Sequence, residues 1–213
     1  MKRLMLVAAA FSALAAANCA FAQATPDIFT GGSAEKGASK AAVCAACHGA
    51  GGNSNNPEWP KLAGQHAPYA HDQLQAFKTG VRKNPLMTPQ AMALSEQDMK
   101  DLAAYFAGQK PQPGVASPAA IATAETLYRS GDAKRALPAC TACHGPQGAG
   151  NAAAGYPRIG GQHAKYSAAV LRQYLAEANS TDAQGNRAIM AAIAAKLTDP
   201  EIEALASYVN GLQ

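Results

Sequence analysis

Cys44, Cys47 and His48 fall in CAACH at 44–48, and Cys140, Cys143 and His144 fall in CTACH at 140–144. A Cys-x-x-Cys pair followed at once by His is the attachment pattern of c-type haem. The two-residue gap sets both sulfurs within reach of neighbouring vinyl groups on one porphyrin, and the two thioethers hold the ring. The histidine that follows brings its imidazole under the iron as a proximal ligand. Two other chemistries compete. Cysteines in an exported chain can form a disulfide scaffold, which explains an even number but not a His at the same offset twice. Zinc can take two thiolates and a nitrogen from such a pentad but needs a fourth ligand, and no third or fourth cysteine is available to either half. The glycine-rich GAGGN at 49–53 lacks the Gly-Lys-Ser/Thr ending of a phosphate loop and a preceding strand, so it reads as a turn.

The second axial ligand decides what a haem here does. An open position permits small-molecule binding or peroxide chemistry, whereas methionine or histidine closes the iron and leaves an electron carrier. Met87 lies seven residues before Leu94, and Met190 lies seven residues before Leu197. These two are the candidate axial ligands, and a thioether there favours the ferrous state and raises the potential. Core packing is the plain alternative. His66 and His163 also match each other, in a loop that could cross a haem face, and two-histidine ligation would give low-potential haems. Met99 aligns with Ile202 on an apolar stripe and reads as core. Met92 has no partner methionine, and His71 has no counterpart and reads as surface. Pro60 and Pro157 open matching loops, where nearby carbonyls accepting from the proximal histidines would fit the usual support of a metal-bound imidazole; an ordinary turn proline is the alternative. Trp59 reads as unique to the first copy, packing on the first haem or at a domain contact.

The elements that position these residues are themselves duplicated. PKLAGQH at 60–66 is answered by PRIGGQH at 157–163, Tyr69 by Tyr166, Leu74 by Leu171, Phe77 by Tyr174, and LSEQDMKDLAAYF at 94–106 by LTDPEIEALASYV at 197–209. Ordered matches over this length identify a tandem duplication. KPQPGVASPA at 110–119, with three prolines and small residues, reads as an extended, exposed connector. The expected organisation is a signal peptide at 1–22, one domain at 24–108, a linker at 109–119 and a second domain at 120–213. Each domain is small for a self-sufficient apolar core, and a covalently held haem would fill that gap. The pattern is all-α. Helices are expected over 34–45, 67–79 and 95–107 in the first copy, and over 122–131, 164–178 and 198–211 in the second. Met99, Leu102, Ala103 and Phe106 make an amphipathic stripe. Ser95 with Asp98, and Thr198 with Glu201, resemble capping boxes, and Pro200 sits in a first turn where a missing N–H costs nothing.

The first residues set a compartment. Lys2 and Arg3 precede an apolar run to Ala17, and Ala20-Phe21-Ala22 ends it as a small-x-small cleavage site, which together read as a secretory signal. An uncleaved anchor, or a lipoprotein processed at Cys19, are the alternatives; Asn18 fits the latter poorly. Cleavage would remove Lys2 and Arg3 and lower the formal charge from +4 to +2. That is too near neutral to point to nucleic acid. Beyond the signal no run of about twenty apolar residues offers a membrane span.

Taken together, CAACHG, PKLAGQH, Met87 and LSEQDMKDLAAYF, followed by PACTACHG, PRIGGQH, Met190 and LTDPEIEALASYVNGL, resemble the dihaem cytochromes c of the c-four type over essentially the whole mature chain. The resemblance implies two tandem class I cytochrome c domains related by a pseudo-twofold axis, with the haem propionate edges meeting near the contact. It implies two covalently bound haem c groups, thioether-linked at Cys44, Cys47, Cys140 and Cys143. His48 and His144 would be the proximal ligands and Met87 and Met190 the distal ones. It also implies a periplasmic electron carrier, not an enzyme, between a quinol-oxidising complex and a haem–copper terminal oxidase, in loose association with the membrane. A cytochrome subunit of a periplasmic dehydrogenase is the alternative, and a dihaem peroxidase a more distant one. One departure is the short loop between Gly80 and Met87.

Overall fold

The computed structural model describes residues 31–180 and 183–213. The expected signal peptide and Cys19 lie outside the described residues. Among the described residues there are nine α-helices and no extended strand, only two isolated bridges. No helix among them is long and apolar enough to cross a membrane.

The first half is built from α1 (Ala34–His48), α2 (Ala67–Thr79), α3 (Met87–Met92) and α4 (Glu96–Ala107). Ser33 caps α1 by accepting from the Lys36 N–H, and α1 continues past the expected end, through Cys44 and Cys47, to His48. Gly49 then turns the chain at φ 75°, a left-handed value that favours glycine, as does Gly145 at 74° after His144. The capping box at Ser95 and Asp98 is present and starts α4. α4 packs across α1 and α2, burying Met99, Leu102, Ala103 and Phe106.

The second half repeats this plan with α5 (Pro118–Ser130), α6 (Thr141–His144), α7 (Ala164–Ala176), α8 (Gly185–Ala194) and α9 (Asp199–Gly211). α9 packs across α5 and α7, as α4 does across α1 and α2. Its box at Thr198 and Glu201 is present, with Pro200 in the first turn. The path into the second pentad is broken. α5 ends at Gly131, a 3-10 turn covers 133–135, and α6 is a single turn carrying CTACH. Pro138 has no backbone donor to continue a helix there.

Three helices lie outside the expected set: the single turn α6, and α3 and α8. α3 and α8 each stand just before the last helix of their half, and α3 packs on α2 as α8 packs on α7. The segment between the halves is irregular over 110–117, and α5 starts at Pro118. It is strapped to both sides. The Gln112 N–H donates to Asn53 Oδ1 at 2.9 Å, the Gly114 N–H to the Asn210 carbonyl at 2.9 Å, and the Ser117 N–H to Ser207 Oγ at 2.9 Å.

Candidate functional site

The first pentad sits on the last turn of a long helix, so Cys44 and Cys47, three residues apart, share one face. Neither is in a disulfide; Cys44 is half-buried and Cys47 exposed. Cys140 and Cys143 are likewise outside any disulfide and half-buried, at the start and within α6. Burial pushes the Cys44 thiol up and raises Cys140 to about 11, surroundings that suit a neutral thioether better than a thiolate.

His48 and His144 are each 6% exposed. His48 Nδ1 pairs with the Pro60 carbonyl at 2.8 Å, and His144 Nδ1 with the Pro157 carbonyl at 3.0 Å. A carbonyl only accepts, so Nδ1 carries the proton and Nε2 keeps its lone pair. Burial lowers both imidazoles below the ordinary histidine range, which favours this neutral form. A metal-bound histidine is normally held this way, by a hydrogen bond from its second nitrogen. The two expected loop prolines thus do supply the carbonyls that fix the two rings.

Met87 is the first residue of α3 and is half-buried. Its position is set locally: Asn84 Oδ1 accepts from the backbone N–H of both Leu86 and Met87 at 2.9 Å. Gly80 ends α2 in a left-handed turn, and the Arg82 N–H reaches back to the Ala76 carbonyl at 2.9 Å, which closes the short approach. Met190 is half-buried inside α8. Met99 is in the core at 1% exposure, and Met92 is 63% exposed.

The two loop histidines part company. His163 Nε2 pairs with the Ser54 carbonyl of the other half at 2.7 Å. His66 Nε2 is buried with no hydrogen-bond partner among the described residues. His71 Nε2 pairs with Glu96 at 2.8 Å. Trp59 is not without a counterpart: Tyr156 precedes Pro157 as Trp59 precedes Pro60, and its ring lies 6.3 Å from that of His144.

The halves meet through the PKLAGQH and PRIGGQH loops. Gln162 Nε2 donates to the Lys61 carbonyl, and the Lys61 N–H donates to Gln162 Oε1, both at 2.9 Å. Gln65 Nε2 donates to the Arg158 carbonyl at 2.9 Å, and the Arg158 N–H to Gln65 Oε1 at 3.0 Å. Lys61 Nζ also reaches the Gly161 carbonyl at 3.1 Å, and Arg82 donates to the Tyr166 hydroxyl at 3.0 Å. The Arg82 guanidinium lies 4.6 Å over the Phe77 ring, and burial, then nearby Tyr174 and Tyr166, pushes the Tyr69 hydroxyl up. Lys61, Arg158 and both glutamines escaped the sequence reading as functional residues, although they lie in the two loops it paired.

The residues present fit haem c. Each half offers two cysteines on one turn, outside any disulfide, and a neutral, buried imidazole whose Nδ1 is already fixed. Among the described residues no three His, Cys, Asp or Glu side chains gather to hold a metal; a porphyrin, which brings four nitrogens of its own, needs only two ligands from the chain. The buried apolar side chains of the first half are mostly small, with Ala41, Ala63, Ala67, Ala91 and Ala103 beside Phe77, Met99, Leu102 and Phe106.

The cytochrome c family model matches residues 34–110 and 122–213, once per half. The cytochrome c4 of Stutzerimonas stutzeri is 47% identical over 190 residues, covering 85% of this chain and 90% of that one. A thiosulfate dehydrogenase electron acceptor of Thiomonas intermedia is 35% identical over 214 residues, covering 98% and 90%. The crystal structure of reduced recombinant cytochrome c4 from Pseudomonas stutzeri superposes with a TM-score of 0.81 at 46% identity, over 85% of this chain and all of that one.

Proposed function

Because the chain belongs to the cytochrome c4 family, as a dihaem electron carrier of two tandem class I cytochrome c domains with covalently bound haem c, we propose that it works in the periplasm, taking electrons from a quinol-oxidising complex and passing them towards a haem–copper terminal oxidase. The observation that carries this reading is the repetition, in both halves, of a buried imidazole fixed on a proline carbonyl and a matched methionine ahead of the last helix.

Cys44 and Cys47 would hold one haem and Cys140 and Cys143 the other. His48 with Met87, and His144 with Met190, would be the axial pairs. The bound haem supplies a one-electron ferric–ferrous couple. The chain's own contribution is positional. The proline carbonyls hold Nδ1–H and aim Nε2, Asn84 fixes the start of the helix that carries Met87, and the glutamine pairs keep the two halves in register. His48 with Met87 and His144 with Met190, each pair holding one haem, would leave no position for a substrate, which disfavours peroxide chemistry. Partners would be other redox proteins, meeting the chain through small, short-lived contacts.

A second reading, with a periplasmic dehydrogenase as the donor, is favoured by the likeness to the Thiomonas intermedia electron acceptor over nearly the whole chain. Stopped-flow mixing separates the two. Reduction by a quinol-oxidising complex faster than by a dehydrogenase, followed by rapid reoxidation by oxidase-containing membranes, is the expected result. Fast reduction only by a dehydrogenase, such as one acting on thiosulfate, would overturn the first reading in favour of the second.

A further inference from the structure

One peptide group lies between each proximal histidine and the opposite half of the molecule. The Pro60 carbonyl that accepts from His48 Nδ1–H, and the Lys61 N–H that donates to Gln162 Oε1, belong to the same amide. The mirrored relay runs from His144 through the Pro157 carbonyl and the Arg158 N–H to Gln65 Oε1. We infer that each glutamine sets the electron-donating strength of the proximal histidine in the other half, so that Gln162 tunes the N-terminal haem and Gln65 the C-terminal one. This rests on His48 and His144 being the proximal ligands.

The physics is that of a conjugated amide. A peptide whose N–H is engaged shifts charge onto its oxygen through the same resonance that keeps it planar. Linked hydrogen bonds therefore strengthen one another, by about 10–30% per bond. A stronger carbonyl acceptor draws the Nδ1 proton further, and a histidine with a better second acceptor is a more basic ligand. A more basic ligand favours ferric iron, so each glutamine lowers the potential of the haem across the contact.

The oxygen is not free to drift. In each copy Oε1 also accepts from the backbone N–H of the next residue, His163 or His66, at 3.0 Å, while Nε2 is held by the carbonyl of Lys61 or Arg158. The same pattern occurs twice at matched positions, so it is a property of the duplicated loop and not of one local contact. Gln65 and Gln162 are positioning residues, acting through the peptide and not on iron.

The test uses the full holoprotein with Gln162→Met and, separately, Gln65→Met, which keep side-chain length and lose both cross-bonds. Each haem is titrated through its own haem-methyl NMR resonances, assigned with Met87→His and Met190→His. Gln162→Met should raise the N-terminal potential, changing its ferrous-to-ferric ratio about threefold at a fixed poise (~28 mV at 59 mV per tenfold), with the C-terminal haem unmoved. Gln65→Met should do the reverse, and the double variant should show both shifts. A shift confined to the substituted half, an equal shift in both haems, or no shift would overturn the inference, since loosening of the contact alone has no reason to act crosswise. If the Met variants do not assemble, Gln162→Asn and Gln65→Asn, one methylene short of the peptide, are read in the same way. Unsubstituted protein is measured first. If it lacks hyperfine-shifted imidazole protons of His48 and His144, the ligand assignment falls; if it has them and the crossed shift is missing, only this inference falls.

Discussion

In the first half, α1 runs unbroken from Ala34 to His48 and meets α4 at Gly37, where an added Cβ would lie 2.1 Å from the Asp101 carbonyl. Asp101 itself has no exposed surface and accepts from Lys40 Nζ at 2.8 Å and from the Ser33 N–H and Gln97 at 2.9 Å. In the second half the matching position is Ala204, the path to the pentad is broken, and the hold is apolar. Tyr128, Leu127, Ile202, Leu205, Ala206, Tyr208 and Val209 share one buried cluster, with the Tyr128 and Tyr208 rings 5.3 Å apart and the Tyr128 hydroxyl donating to the Gly145 carbonyl at 2.7 Å. The charge there has moved to the edge, where Arg135 holds Glu201 through two bonds of 2.7 and 2.9 Å. The difference teaches that one fold can close the same helix crossing either with a polar clamp or with oil. The half that uses the clamp buries fewer large apolar side chains of its own, Phe77, Met99, Leu102 and Phe106.

The largest effect that can break this contrast is loss of haem attachment. Cys44→Ala with Cys47→Ala should leave the first half without a stable fold, seen as lost helicity and rapid proteolysis between residues 34 and 107. Cys140→Ala with Cys143→Ala should leave α5 and α9 protected for longer. Equal protection in the two variants would remove the contrast.

Ligand loss should come next. Met87→Ala and Met190→Ala should each lower the potential of their own haem by on the order of 0.1 V, a fraction of the ~0.8 V that axial ligands span. The shift should be similar in both halves, because the pairs are matched even where the scaffolds are not. A potentiometric titration of each variant reads this directly.

Much of this was legible in the sequence, and the exceptions have physical reasons. The two pentads, the paired loops, the capping boxes and α2 at 67–79 follow from local chemistry, which short spacings record. α3 and α6, at six and four residues, are too short to show a period, and Pro89 in α3 reads as a breaker, whereas the ten residues of α8 do carry an apolar face and were legible. Gly131 and Pro138 already signalled the break before the second pentad. Trp59 reads as unmatched in the sequence because Tyr156 differs from it in type, although both precede the loop proline. The crossed glutamines could not be found from pattern alone, since each bonds a residue about a hundred positions away whose nearness depends on how the halves pack.

A smaller and sharper comparison is offered by Met99 and Ile202, aligned and buried at 1% and 0% exposure. Replacing either with Ala should cost about 2–5 kcal/mol, with Ile202 at the upper end, because a branched side chain among large neighbours leaves the more rigid cavity. Urea unfolding of the holoprotein with domain-specific probes measures both.

The smallest effect concerns acid. Lys40 beside Asp101, and Arg135 beside Glu201, hold both carboxyls down at about 2. Each lies below its unfolded value of roughly 4, so the stabilisation is present above about pH 4 and fades as pH falls towards 2. Asp101→Asn should weaken the first half near neutrality and flatten its loss between about pH 6 and pH 3, while Glu201→Gln should do so only in the second half. Denaturation midpoints at the two pH values decide it.

The most direct test of the account as a whole is a pyridine haemochrome count on the purified protein, joined to the visible and near-infrared spectrum of its oxidised form. The account predicts two haems per chain, both low-spin, with the weak long-wavelength band of methionine-ligated ferric haem at an intensity for two sites. Fewer than two haems, or two without that band, would contradict it.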